Sequence, residues 1–299
     1  MMRIGITGAT GFVGRALVAG ALARGHEVVA FSRGKDVSIP GVKEVRPILT
    51  EGAKALDLAG LDALVHLAGE NVFGVWTTEK KRRIYDSRVD LTRRIAADVL
   101  KAESLKVWVS GSGSGAYGDR GDEILTEQSS APGAGFLAEV CRDWEGAALA
   151  VAADSEKTRV VVIRTGMVLG KDGGAWPMLR KVFAMFLGSP LGSGKQWVPW
   201  IHLDDEVGMI LHALEHEGCK GPMNLGSPNP VTNEQMTREM AKRIKRPVMP
   251  KVPKFMLKLV MGDLSEVVLA SQRMEPKLAL ETGYQFKHVR LADALATLD

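Results

Sequence analysis

The sequence predicts an α/β protein: a doubly wound parallel sheet followed by a smaller, mainly helical unit. Three observations carry that prediction. Short apolar runs alternate with helical patterns over residues 1–170. Several runs are apolar at both parities, as in Val107-Trp108-Val109 and Val160-Val161-Val162-Ile163. A strand reads this way when helices bury both its faces, as happens inside a parallel sheet. After Ile163 the pattern breaks, and residues 164–200 become rich in Gly, Pro, Met and Trp.

In chain order, strands are expected at Arg3–Thr7, Glu27–Phe31, Val42–Arg46, Ala63–His66, Lys106–Ser110 and Arg159–Ile163. Helices are expected between them at about Phe12–Arg24, Lys80–Ala102 and Phe136–Ala153. The series is a chain of βαβ units with right-handed crossovers. Beyond residue 165 helices recur at about 204–217, 233–245 and 254–261, with joints at Pro228, Pro230, Pro247, Pro250 and Pro253. Residues 1–165 are read as one domain and the rest as a second, some of whose segments return to the sheet.

Composition narrows the partners. A chain of 299 residues has room for two domains. Lys+Arg minus Asp+Glu is 39 − 35 = +4, and the positive charges are scattered. A nucleic-acid binder would show a basic stripe, so none is expected as partner. Cys141 and Cys219 form no CxxC pattern, so neither a metal site nor a disulfide framework is expected. Such thiols fit a reducing cytosol. There is no run of 18 apolar residues, so no membrane span is expected. The opening Met2-Arg3-Ile4-Gly5-Ile6-Thr7 reads as a strand and not as a signal peptide.

Glycine is over-represented, with 33 residues, and its placement is informative. The first strand runs into Thr7-Gly8-Ala9-Thr10-Gly11-Phe12-Val13-Gly14. Glycines at every third position of a strand-to-helix turn are the dinucleotide fingerprint of the Rossmann fold. Gly8 makes the tight turn, Gly11 lets the backbone approach a pyrophosphate, and Gly14 lets helix and strand pack closely. Thr10, Phe12 and Val13 belong to the same turn, whose helix amino terminus faces the phosphates. The second strand ends in Val29-Ala30-Phe31-Ser32-Arg33, with Lys35 beyond and no acid at 28–33. An NAD site wants a carboxylate there for the ribose 2′-hydroxyl. Ser32 and Arg33 favour the 2′-phosphate of NADP(H) instead. Gly192-Ser193-Gly194-Lys195-Gln196 imitates a P-loop, but Ser189 stands at the first glycine and Gln196 at the Mg²⁺-binding hydroxyl.

On the 80–102 helix, Ile84, Leu91, Ile95 and Val99 form one apolar ridge that also carries Arg88. A buried charge needs a partner. Arg88 therefore meets either a carboxylate or a cofactor or substrate phosphate, with Ser87 beside it. In Lys80-Lys81-Arg82-Arg83, most of the charge is solvated, and Lys81 and Arg82 are the members expected to reach the phosphates.

Taken with the glycine turn, further segments resemble the extended short-chain dehydrogenase/reductase superfamily, in particular its branch of epimerase family proteins. They include His66-Leu67-Ala68-Gly69-Glu70-Asn71, Ser87-Arg88, Ser110–Gly118, Phe136–Glu145, Arg164–Gly170, Trp200–Asp205, Asn224 and Arg273–Leu278. The resemblance spans nearly the whole chain. It implies a Rossmann domain, a substrate domain over about 166–246, and a small C-terminal domain over 247–299. It also implies that the stretch His66 to Gly69 passes the nicotinamide-side ribose, that Ser87 and Arg88 contact cofactor, and that Thr165 lines the nicotinamide end.

Extended members use a Ser or Thr after the fifth strand and a Tyr-x-x-x-Lys pair one helix on. Ser112 matches the serine, with Ser114 as runner-up. The pair is missing: alignment on Glu145 puts Leu137 at the Tyr and Cys141 at the Lys. Helical periodicity independently puts both on an apolar face with Val140, Trp144, Ala148 and Val151. Two replacements are open. Tyr117 acts as general acid, or it only shapes a turn. Glu70 acts as acid/base if desolvation raises its pKa, or it only positions ligand. Asp204 is read as an N-cap and His202 as a packing or substrate-shell residue. Trp176, Met178, Phe183, Met185, Phe186, Trp197 and Trp200, with Met256, Leu257, Val260 and Met261, form either core and a domain or homodimer interface, or an apolar substrate pocket. The resulting function is an NADP(H)-dependent oxidoreductase or epimerase-like enzyme on a small carbonyl or hydroxyl substrate. The alternative is a non-catalytic NADPH-binding regulatory or scaffold protein.

Overall fold

A computed structural model describes residues 1–34, 37–48 and 55–299. The first strand, Arg3–Thr7, has the second, Glu27–Ser32, on one side and Ala63–His66 on the other. In spatial order the central sheet runs Glu44–Pro47, Glu27–Ser32, Arg3–Thr7, Ala63–His66, Val107–Gly113, Arg159–Thr165, Gly221–Leu225. Every neighbouring pair is parallel. The order winds outward in both directions from the first strand. The chain therefore opens a crevice at the carboxyl ends of Arg3–Thr7 and Ala63–His66, the switch point where such sheets bind ligands.

The double parity of the strands has its cause in two separate cores. Ile4, Ile6, Val28, Ala30, Val109, Val161 and Ile163 pack on one face with Leu17 and Val18 of the Phe12–Ala23 helix and Ile210 and Leu214 of the Leu203–Glu215 helix. Val29, Phe31, Leu64, Trp108, Val160 and Val162 pack on the other with Ile95, Val99, Ala148 and Val151. Adjacent strand residues point to opposite faces, so both must be apolar.

Three elements depart from the sequence reading. The strand expected from Val42 begins at Glu44. The expected single helix over 80–102 is Thr78–Tyr85, a π-helical turn at Asp86–Asp90, and Leu91–Val99. The strand Gly221–Leu225 was not located from the sequence, which expected only that some later segment returns to the sheet. It carries Pro222, which a sheet tolerates at its edge because no ladder donor is needed there. With it the Leu203–Glu215 helix returns to the sheet and covers one face.

The remaining chain builds small sheets beside its helices. Met167–Gly170 pairs with Trp200–His202 and with Gly173–Gly174. Trp197–Val198 pairs with Val231–Thr232, and Arg273–Met274 with Ile124–Leu125. The Asn233–Ile244 helix starts on a capping box between Thr232 and Gln235. It packs with Trp176, Phe183, Trp200, Leu291 and Leu295 in a third core. Those aromatics are core residues, whereas Met178, Met185, Phe186, Met256 and Val260 are exposed.

The turn after the first strand is set by close approach. Gly8 has φ +71°, and a Cβ there would lie 2.9 Å from the Ala68 nitrogen. A Cβ on Gly14 would overlap the Gly8 carbonyl oxygen and come within 2.9 Å of the Ala9 Cα. The obstacle is backbone and cannot rotate away. Gly14→Ala is expected to destabilise the protein by about 2 kcal/mol or more, read as a lower urea midpoint at unchanged m-value.

Candidate active site

The phosphate turn presents its backbone outward. Thr10 and Gly11 are exposed, Phe12 and Val13 half-buried, and Gly11 caps the helix in an extended conformation. The amino-terminal N–H groups of a helix lack intrahelical acceptors and carry its positive dipole end. The Phe12 ring itself packs against Gly170, Gly173 and Gly174, so its side chain anchors the second unit.

At the end of the second strand Ser32 is half-buried and accepts from the Gly34 N–H at 3.2 Å. Arg33 is exposed. It lies close enough to act on the Glu70 carboxylate across the crevice. Lys35 lies outside the described residues.

Glu70 is corrected by its neighbours. Its carboxylate takes a 2.8 Å hydrogen bond from Lys80, with Arg83 at 3.7 Å. The Lys80 bond, aided by the charges of Lys80, Arg83 and Arg33, holds this carboxyl below the usual range. It remains an anion and does not store the proton the sequence reading asked of it. Arg82 pairs with Glu79 on the outer surface, and Lys81 pairs with Asp263 at 2.7 Å. Both charges are thus already matched by carboxylates. Lys81 ties the Thr78–Tyr85 helix to the C-terminal segment.

His66 is also corrected. It is fully buried, 2.7 Å from Thr7 Oγ1 through Nδ1 and 3.0 Å from Thr92 Oγ1 through Nε2. Thr7 Oγ1 also accepts the Leu67 and Ala68 N–H groups, so it donates to Nδ1, and His66 donates from Nε2 to Thr92. Burial, then the Arg88 charge, pushes the imidazole down to about 3, and it stays neutral. It locks two strands to a helix beneath the Leu67-Ala68-Gly69 backbone.

The π-turn explains Ser87 and Arg88. An extra residue in the turn brings Arg88 and Val89 inward together; Val89 is fully buried. Ser87 Oγ accepts the Glu70 N–H at 2.9 Å, and Arg88 donates to the Glu70 carbonyl at 2.8 Å. The Arg88 guanidinium lies 5.4 Å from the Trp144 ring centre, and a Cβ on Gly69 would stand 3.0 Å from its Cζ. Among the described residues Arg88 forms no ion pair. The carboxylate that the sequence left open as its partner is not there.

Ser112 sits half-buried at the carboxyl end of Val107–Gly113 and donates to Glu145 at 2.7 Å. Glu145 is held by a two-pronged ion pair with Arg164, at 2.9 and 2.7 Å. Arg164 donates to the Tyr117 hydroxyl at 2.9 Å, which lies 2.8 Å from Asn224 Oδ1. Tyr117 is fully buried, and burial raises its pKa against the opposing Arg164 charge. A general-acid role for Tyr117 is therefore withdrawn: its hydroxyl is locked inside this network. Leu137 and Cys141 border the adjacent Gly115, as a Cβ there would lie 3.8 Å from each. Burial, then the Glu145 charge, pushes the Cys141 thiol up to about 11, so it is inert core.

Glu145, Arg164 and Asn224 were not singled out as site residues from the sequence. The available signals were a carboxylate on the Leu137–Cys141 face and an arginine closing an otherwise apolar strand. Thr165 turns its hydroxyl inward, donating to Glu206 at 2.9 Å. Glu206 is buried, its Oε2 has no partner, and burial pushes its carboxyl up to about 8. His202, not Asp204, caps the helix, since its Nδ1 accepts the Asp204 N–H.

A glycine turn under a helix amino terminus, a basic strand end and a half-buried arginine with no ion pair among the described residues together define a dinucleotide-binding crevice. The NAD-dependent epimerase/dehydratase family model matches residues 4–226, and a domain of unknown function, DUF1731, matches 252–298. The chain belongs to the NAD-dependent epimerase/dehydratase family. It is 38% identical to the chloroplastic SDR39U1 homolog of Arabidopsis thaliana, an epimerase family protein, over 99% of this chain and 86% of that one. It is 33% identical to the epimerase family protein YfhF of Bacillus subtilis, over 99% and 98%. The crystal structure of human SDR39U1 isoform 2 with NADPH superposes with a TM-score of 0.89 at 32% identity, covering 98% of each chain.

Glu206 makes stability depend on pH. Below its ordinary value of 4.5, folded and unfolded chains both hold the proton. Between 4.5 and about 8 only the folded chain does, so stability falls as pH rises through that window. Glu206→Gln is expected to gain roughly 3 kcal/mol on the parent between pH 5 and pH 8, read as a widening difference in Tm.

Proposed function

We propose that this protein binds NADPH along the carboxyl ends of its sheet and acts on a small carbonyl or hydroxyl substrate. The observation that carries the reading is Ser112, held by a buried carboxylate–guanidinium pair at the end of the fifth strand. The NADPH in the human relative supports it. The cofactor fits the residues present. The Gly8–Gly14 turn would receive the pyrophosphate, and Ser32 and Arg33 the 2′-phosphate. Arg33, Lys80 and Arg83 gather about Glu70, with Glu79 as a further partner of Arg83, which leaves surplus positive charge for it. Arg88, unpaired beside Gly69, would meet a further anionic group.

The bound cofactor supplies the hydride. Ser112 would orient the substrate oxygen: with an alcohol its lone pairs accept the substrate hydroxyl while its own proton stays on Glu145, and with a carbonyl its Oγ–H turns from Glu145 to the carbonyl oxygen, the proton that completes the product alcohol coming from solvent water. Arg164 keeps Glu145 paired and fixed. Cys141 and Leu137 exclude water beside it. The buried, unbridged thiols support a reducing compartment such as the cytosol.

A regulatory NADPH-binding role is the second reading. It is favoured by Leu137 and Cys141 standing where the resemblance puts Tyr and Lys.

Arg33→Ala is expected to weaken NADPH about 10- to 100-fold by calorimetry and NADH little. Unchanged NADPH affinity would sink the 2′-phosphate assignment. Ser112→Ala is expected to keep NADPH affinity and lower turnover in a carbonyl-substrate screen about 100-fold or more. Tight NADPH binding without any turnover in the parent would establish the regulatory role.

A further inference from the structure

A second cluster lies at the other edge of the sheet. His212 ends the last turn of the Leu203–Glu215 helix, and His216 is its C-cap. The following loop doubles back: the Cys219 N–H donates to the His216 carbonyl at 3.1 Å. Cys219 then leads into the Gly221–Leu225 strand, whose opposite end carries Leu225 beside Thr165. The cluster is thus at the amino-terminal edge of the sheet, and the crevice is at the carboxyl edge.

One ligand-capable atom from each of His212, His216 and Cys219 lies within 4.8 Å of the others. The imidazoles are stacked, with ring centres 5.1 Å apart at 24°. Thr282 Oγ1 stands 2.9 Å from His212 Nε2 and 3.7 Å from Cys219 Sγ. It also hydrogen-bonds to the Leu278 carbonyl at 2.8 Å, so it fixes the two side chains from a third element. His216 is exposed and its Nδ1 takes only a 3.2 Å bond from the Gly218 N–H, so its ring is free to turn.

We propose that His212, His216 and Cys219 form a zinc site with one position left for water. Two imidazoles and a thiolate are a borderline-soft donor set, which suits Zn²⁺ and not Mg²⁺ or Ca²⁺. Tetrahedral ligands at about 2.0–2.3 Å from zinc stand roughly 3.5 Å apart, so closure from the present spacing needs about an ångström of side-chain movement. A thiol ligates zinc as the thiolate, so the ion binds with release of the Cys219 proton. The site staples the helix end to the edge strand, far from the nicotinamide end. It works as a structural clamp independent of NADPH.

The test is a Co²⁺ titration of the EDTA-treated full chain, followed by absorbance, with Zn²⁺ as displacer. The expected result is one equivalent per chain, a near-ultraviolet thiolate charge-transfer band, and its loss on adding one equivalent of Zn²⁺. Cys219→Ser abolishes the band. His216→Ala, at an exposed position that leaves the core intact, weakens Co²⁺ at least about 10-fold. The same Zn²⁺ concentration raises the parent's Tm by about 5 °C and that of His216→Ala by less. A missing band, a band that survives Cys219→Ser, or full affinity in His216→Ala would overturn the site.

Discussion

Glu145 and Arg164 are a carboxylate and a guanidinium buried side by side, with side chains only 8% and 6% exposed. Either charge alone in that interior would cost about 3–5 kcal/mol, so the two must be brought together for the chain to fold. They lie on the Phe136–Asp154 helix and on the strand Arg159–Thr165. Ser112 joins them from the neighbouring strand, and Tyr117 and Asn224 extend the network to the edge strand. Asn224 in turn donates to the Leu125 and Glu275 carbonyls, which reaches the C-terminal region. Such a pair adds little net stability over apolar packing. Its geometric demand sets the register of a helix and three strands, one of which carries Ser112.

The crevice is built around that network by two backbone devices. Gly8 lets Leu67-Ala68 pass directly over the first turn, which brings two strand ends to one ligand path. The π-turn at Asp86–Asp90 inserts one residue, so that Ser87 and Arg88 reach the Glu70 backbone while Val89 still fills the core. Arg88 remains charged in a half-buried place with an aromatic face and a carbonyl for company, and no carboxylate. A site so arranged is pre-organised for an anion, since its desolvation cost is already met within the folded protein.

The sheet was legible because helix-covered strands must be apolar at both parities, and the phosphate turn because backbone crowding admits only glycine. The catalytic assignments were less legible. Tyr117 followed the serine loop, and nothing local revealed that Arg164 and Asn224 would enclose its hydroxyl. Glu70 had no acid-suppressing neighbour within a few positions, since Lys80 and Arg83 arrive from the next helix. His66 read as a crevice residue because its backbone borders the cofactor path, while its ring turns beneath it to Thr92.

By itself the sequence determined the α/β class, the glycine turn, the basic end of the second strand, the serine at the fifth, and the loss of the tyrosine–lysine pair. The first three follow from periodicity, local sterics and residue type, and the last two are what the family resemblance implies. Tertiary structure decided the return of Gly221–Leu225 to the sheet, the extra residue in the π-turn, and the Glu145–Arg164 pairing. It also decided which titratable groups are ionised. Protonation depends on burial and on charges brought in by distant elements. Glu70 keeps its charge because Lys80 comes to it, and Glu206 keeps its proton because burial disfavours its charge.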